Sequence, residues 1–471
     1  MVDAPTFRVS ILAAALLAAP PVLGEGSAVF RDGFEWGDTG DWSATVPPRC
    51  DVIAPFDRGL APTAQIHVAP PPLGSDTSGD GSPGSPYATL GHAASFATPG
   101  AAIRLHPGTY AGGAFLGDLH GTAGAPIWIG GLPGAARPVF SGGGQAFQLS
   151  RARYVVVHDL EVRDATANGI NADDGGEVAD PLASHHLAFR RLSIHDIGTG
   201  GNNDCLKLSG IRDFWVTDSV IARCGGSMSG SGVDCVGCHR GLVARNRFEQ
   251  MSGNAVQAKG GSTDVEMRWN HLVDPGARGF NLGGSTGFEF FRPPLSTTSP
   301  NVEARNLRAV GNVVEGGSAA IAFVGCVDCV AANNTVIDSE NWLLRILQET
   351  VSGGGYVFEP ASDGVVIDNL FLFQDGPLST HVNVGPNTAP ATFQFRNNLW
   401  YAADAPGSSQ PSLPSPETGG VYGEDPLLLP GFRIDGSSPA AGAGLAHAWL
   451  AGDRDGFCYA APPAIGAHEA P

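Results

Sequence analysis

Short pieces with one apolar alternation recur through the middle of the chain: GINAD (169–173), CLKLS (205–209), CVGCH (235–239), AVQAK (255–259), GFNLG (279–283) and AIAFV (320–324). In each, the second and fourth residues are apolar, as in Leu206 and Leu208 or Phe280 and Leu282. A period of two means a strand with one buried face. The pieces start 20 to 41 residues apart, which suits a coil with variable loops better than a fixed-period array.

A second set runs in phase: VVHDLEV, AFRRLSI, WVTDSVI, VARNRFE, MRWNHLV, AVGNVVE, AANNTVI, VIDNLFL and FRNNLWY. Its shared polar position reads Asp159, Arg191, Asp218, Asn246, Asn270, Asn312, Asn334, Asn369 and Asn398. Asn tolerates turn geometry and bonds neighbouring backbone. Repeated at one corner of successive coils, it makes a structural ladder.

Two strands per visible repeat, an Asn ladder and Gly-rich corners resemble the right-handed parallel β-helix, the pectate-lyase-like superfamily, over residues 63–471. That resemblance implies an all-β, single-stranded solenoid of about 10 to 12 coils. A short capping helix is expected at YATLGHAASFA, where Leu90, Ala93, Ala94 and Ala97 share a face. The solenoid is expected over 63–430 and a C-terminal cap, packed on the last coil, over 431–471. The fold alone does not give an activity.

Before the solenoid, residues 1–24 carry Arg8 and the run VSILAAALLAA, read as a secretory signal too short to span a membrane. Residues 25–62, with a DGFEWGD segment and then Pro47, Pro48, Pro55 and Pro62, read as a tether. The 66 Gly and 15% charged residues suit an all-β solenoid. A formal net charge of −19 argues against a nucleic-acid partner and fits an extracellular protein. No membrane insertion is expected. A monomer that is secreted, periplasmic or at the cell surface is.

Outward positions of the aligned strands give two columns. One reads Asn171, Lys207, Gly237, Gln257, Asn281 and Ala322, with Arg345 of NWLLRIL added. The other reads Asp173, Ser209, His239, Lys259, Gly283 and Val324. Adjacent coils lie about 4.8 Å apart, so these residues share one surface. Asp204, Asp234, Asn254 and Arg278 flank it, and loops at 171–186, 285–305 and 348–362 would wall it. Such a groove suits an acidic polysaccharide.

Polysaccharide lyases of this fold take the proton alpha to a uronate carboxylate with a Lys, Arg or His base. The strand NAVQAKGGS is similar to the one bearing the base in the chondroitinase B and alginate lyase family. That resemblance makes Lys259 the candidate base; His239 and Arg278 are further catalytic candidates read from their place on this surface. Two departures stand against it: Asn254 and Gln257 replace the family's acidic calcium ligands, and Gly283 replaces its Arg. Lys207, Gln257, Asn281, Arg345, Phe291 and Arg292 are candidates for holding substrate.

Asp204 and Asp234 read as neighbours one coil apart, repelling by roughly 3 kcal/mol at an effective dielectric near 20. Calcium, Lys207 or Lys259 would compensate, or each Asp caps its own turn. His239 is either an acid–base group or a turn His. Arg345 and Glu349 are an ion pair or a carboxylate clamp. Phe288, Phe290 and Phe291 either stack on sugars or cover a coil edge.

The pairs Cys235/Cys238 and Cys326/Cys329 stand about 14 Å apart in this register, too far for one zinc ion. Cys205 and Cys235 share a column and are placed for a disulfide. Cys50 and Cys458 pair only if the tail folds back. Three activities stay open: a lyase acting on a uronate-containing chain, a non-catalytic carbohydrate-binding or surface protein, and a glycoside hydrolase, for which no convincing Asp motif set is found.

Overall fold

The structure, a computed structural model, describes residues 49–470 apart from 51, 199–200, 227–228 and 451. The secretory signal and the DGFEWGD segment lie outside the described residues. Between Ala64 and Tyr422 the chain winds as a right-handed parallel β-helix whose strands form three parallel sheets. The first begins at Ala64–Val68 and has thirteen rungs along its main path. The second begins at Ala114–Gly117 and has ten rungs, and the third begins at Thr109–Ala111 and has twelve.

One coil illustrates the rest. Ile211–Thr217 lies in the first sheet, Val220–Cys224 in the third and Ser231–Val236 in the second, and His239–Ala244 returns to the first. Alternate side chains point inward and form one continuous core from Val68 to Ala402. A five-residue helix, Leu90–Ala94, capped by the Thr89 hydroxyl, buries Leu90, Ala93 and Ala94 at the N-terminal end, as the sequence suggests. No helix among the described residues is long and apolar enough to cross a membrane.

The Asn ladder stands at the corner between the first and third sheets. Asn246, Asn270, Asn312, Asn334 and Asn369 each accept, on Oδ1, the backbone N–H and the side-chain Nδ2 of the Asn one coil earlier, or, for Asn246, the backbone N–H of Ser219. Asn398 receives both bonds from Asn369 and donates its own to Glu417. All six Asn are buried, and each Nδ2 also reaches a backbone carbonyl on an earlier coil. The ladder therefore satisfies groups that would otherwise be orphaned in the core.

The first three members of the expected ladder are displaced by one residue. Asp159, Arg191 and Asp218 occupy the left-handed position just before it, where Arg245 and Trp269 also sit. There they pair across coils: Arg191 forks onto Asp159 at 2.9 and 2.7 Å, and Arg245 onto Asp218 at 2.8 and 3.2 Å.

Neither end behaves as a simple appendage. Phe56 and Asp57, expected within a tether, lie against the outside of the first sheet. Phe56 packs on Tyr154 and Trp215, and buried Asp57 accepts from Trp128 and Arg190. The C-terminal segment packs on more than the last coil. Trp269 donates to Gly452, Asn333 to Ala464 and Asn397 to Ala443, so the tail runs back along the ladder corner over several coils. That return brings Cys458 to Cys50, and they form a disulfide. Cys205 bonds Cys224 of its own coil rather than Cys235, and Cys326 bonds Cys329. Cys235 and Cys238 are buried free thiols.

Candidate functional site

The outward face of the second sheet carries the candidate residues, with one correction of register. Lys207 pairs with Asp234, not Gly237, and Asp234 with Gln257. The strand is SGVDCV, and the CVGCH piece is slipped by three residues. The first column therefore reads Asn171, Lys207, Asp234, Gln257, Asn281, Ala322, Arg345 and Asn383. The second reads Asp173, Ser209, Val236 and Lys259.

This slip moves His239 into the first sheet, beside Arg212 and Thr263. Its Nδ1 shares a hydrogen bond of 2.9 Å with the Thr263 hydroxyl. Burial, and then the charge of Arg212, lowers its pKa and favours the neutral ring. His239 lines a separate cavity of about 310 Å³ with Asp174, Arg212 and Arg292, away from Lys259.

Asp204 and Asp234 are brought together by Lys207 and not by stacking. Asp204 aligns with Ser231, three strand positions before Asp234. The Lys207 ammonium lies 3.2 Å from Asp204 and donates to Asp234. Asp234 also accepts from Gln257 at 2.9 Å, and Asp204 from the Ser231 N–H at 2.8 Å. Of the compensating charges expected here, calcium, Lys207 or Lys259, it is the Lys207 ammonium that stands between these carboxylates, and amide donors take further lone pairs. This donor set does not fit a divalent cation.

The charges follow from that arrangement. Burial, and then the nearby charge of Asp234, pushes the Asp204 carboxyl up to about 7. Asp234 is equally desolvated, yet Lys207 and then Lys259 hold it below the usual carboxylate range. Despite burial, the two carboxylates hold Lys207 firmly protonated. Gln257 Oε1 accepts from Asn254 and from Asn281, and Arg278 donates to Asn281 at 3.0 Å and also to Glu349. A hydrogen-bonded line thus runs from Lys207 to Glu349 along the face.

Arg345 is not paired with Glu349. Its Nε donates to Asn383 at 3.0 Å, and its guanidinium lies 4.1 Å from the centre of the Trp342 ring.

Lys259 lies in a cavity of about 460 Å³ with Asn171, Asp173, Lys207 and Ser209 on its floor. The 285–305 insertion supplies one wall, through Thr286, Phe290 and Arg292, and the loop after Asp173 supplies another. Arg292 is buried and grips Asp174 with two hydrogen bonds. It also donates to the Phe290 carbonyl at 2.8 Å, so it is a wall and a clamp. Phe291 is 2% exposed and packs on Phe358, which excludes the sugar-stacking role expected of it. Phe290, 53% exposed, presents its ring to the cavity instead.

Glu303, which sequence reading did not single out, fixes this wall. Fully buried, it accepts from the Gly260 and Thr286 N–H groups at 2.8 Å and from the Thr286 and Thr350 hydroxyls. The only sequence signal was a single acidic residue closing the otherwise neutral stretch PPLSTTSPNVE. Lys207, Arg278, Arg292 and Arg345 are all tied to partners. Among the described residues, the Lys259 ammonium has none.

No family model matches the chain, and no curated protein is significantly similar to it. Among solved structures, pectate lyase Pel9A aligns with 88% of this chain and 98% of its own, with a TM-score of 0.55 and 16% identity. A GH136 lacto-N-biosidase from Eubacterium ramulus aligns with 76% of this chain and 68% of its own, with a TM-score of 0.50 and 13% identity. Identities this low establish a shared fold only.

Proposed function

We propose that this β-helix protein acts on a uronate-containing polysaccharide and cleaves it by β-elimination, with Lys259 as the base. One observation carries the reading: among the described residues Lys259 is the cation of this face with no hydrogen-bond or ion-pair partner, and it lines a walled cavity. Two proteins of the same fold, one named a pectate lyase and one a lacto-N-biosidase, support a carbohydrate substrate.

In this reaction Lys259 would act through its unprotonated amine and take the proton alpha to the uronate carboxylate. The C–H electrons form the new C=C bond, and the glycosidic C–O bond at the beta carbon breaks. The departing oxygen takes a proton from solvent. Negative charge grows on the carboxylate as the proton leaves, and a hydrogen-bond donor or cation placed beside it favours the step. Phe290 offers an apolar face to a sugar ring. Arg278 and Arg345, further along the groove, suit the carboxylates of neighbouring units.

Export to the periplasm, the cell surface or the medium belongs to the same proposal. The signal-like N-terminus and three disulfides support it. The test is a panel of uronate polysaccharides incubated with the purified protein while ultraviolet absorbance is followed. An unsaturated product supports elimination. Binding without any product supports a non-catalytic carbohydrate-binding protein, and reducing ends without new absorbance support hydrolysis.

A further inference from the structure

Away from the groove, the C-terminal segment gathers Asp453, Asp455 and His468. Each offers one ligand atom, and the three atoms lie within 4.8 Å of one another. His468 is 2% exposed, and neither of its ring nitrogens has a hydrogen-bond partner. Its Nδ1 lies 3.4 Å from an Asp455 oxygen, within ion-pair distance. A buried imidazole whose Nε2 has no partner calls for an occupant that accepts a lone pair.

The backbone holds the three side chains in place. Asp453 accepts from the N–H groups of Phe457 and Glu469 at 2.7 and 3.0 Å, and Arg454 donates its N–H to the Ala467 carbonyl at 2.8 Å. Those bonds bring 453–455 against 467–469 without using either nitrogen of His468. Asp455 also accepts from Arg433, whose side chain is mostly exposed.

We propose that Asp453, Asp455 and His468 form a divalent-cation site that fastens the C-terminal tail. The imidazole nitrogen beside two carboxylates favours a zinc-type ion over calcium, which prefers an all-oxygen shell. Three protein ligands leave a fourth position for water. The site closes the segment that also carries the Cys458 half of the Cys50–Cys458 disulfide.

The test uses the full chain, stripped with chelator and dialysed, then titrated calorimetrically with zinc chloride and, separately, with calcium chloride. One equivalent of zinc is expected, with calcium at least about tenfold weaker. His468→Ala and Asp455→Asn are each expected to weaken zinc binding about tenfold or more. Zinc should raise the unfolding temperature of the wild type more than that of either variant. Asp455 is partly exposed, so its Asn variant keeps the test valid if His468→Ala does not fold. No stoichiometric uptake by folded wild type, or uptake unchanged in both variants, overturns the site. Tighter binding of calcium through these residues overturns the zinc assignment.

Discussion

Arg292 reaches across 118 residues of sequence to grip Asp174 with hydrogen bonds of 2.7 and 2.9 Å. It thereby joins the two loops that wall the Lys259 cavity. Both side chains are buried, so removing either leaves a buried charge unpaired. Arg292→Ala is expected to cost about 3 to 5 kcal/mol if the loops stay in place, or less if they open. Denaturant melts read the first outcome, and proteolytic cutting within 285–300 reads the second. A variant with unchanged stability and an uncut insertion would remove the clamp from this description.

Phe290 and Phe291 are neighbours with opposite fates. Phe291→Ala should destabilise the fold by about 3 kcal/mol or more, because its ring is packed on Phe358. Phe290→Ala should leave stability within about 0.5 kcal/mol. It should instead weaken polysaccharide binding about fivefold, equivalent to ~1 kcal/mol. Thermal melts and binding isotherms on both variants separate the two roles.

In the Asn ladder, Asn312 accepts two bonds from Asn270 and donates to Asn334 and to the Met267 carbonyl. Asn312→Ala would strand several buried groups at once, at about 1 to 3 kcal/mol each before relaxation. A loss of about 3 kcal/mol in unfolding free energy is expected. A loss below about 1 kcal/mol would mean that water enters and replaces the side chain.

Asp368 supplies a pH test. Burial pushes its carboxyl up to about 7. The folded protein therefore holds this proton more tightly than the unfolded chain between the ordinary Asp range and pH 7. Over that window the contribution of Asp368 to stability falls as pH rises, and it levels off above the folded-state pKa. Asp368→Asn removes the term. Relative to wild type, the variant should gain stability steadily from pH 4 to pH 7. Urea melts at several pH values check this, and a difference independent of pH would contradict it.

Much of the fold was legible because inward positions alternate strictly and the corner Asn residues repeat in step. Register was harder. In SGVDCVGCH both Val233/Cys235 and Val236/Cys238 satisfy the apolar alternation, so hydrophobicity cannot choose between them. Glycine could have chosen. Gly210, Gly237, Gly260 and Gly325 each follow a second-sheet strand with positive φ, and aligning on them places Asp234 beside Lys207. Lys207 could be named as a compensating charge for Asp204 and Asp234, but its direct pairing with Asp234 depended on that register. The Arg292–Asp174 clamp and the anchoring of Glu303 depend on loop paths that no local pattern encodes. The return of the tail to Cys50 was likewise hidden, because its contacts are scattered over many coils.

Lys259→Ala gives the most direct test of the proposed chemistry. Polysaccharide binding and the rate of ultraviolet absorbance increase would be measured side by side for wild type and variant on the best substrate of the panel. Wild type should generate the unsaturated product, and the variant should still bind but turn over at least ~1,000-fold more slowly. Retained turnover in the variant, or a flat trace from folded wild type across the whole panel, would contradict Lys259 as the base of an elimination.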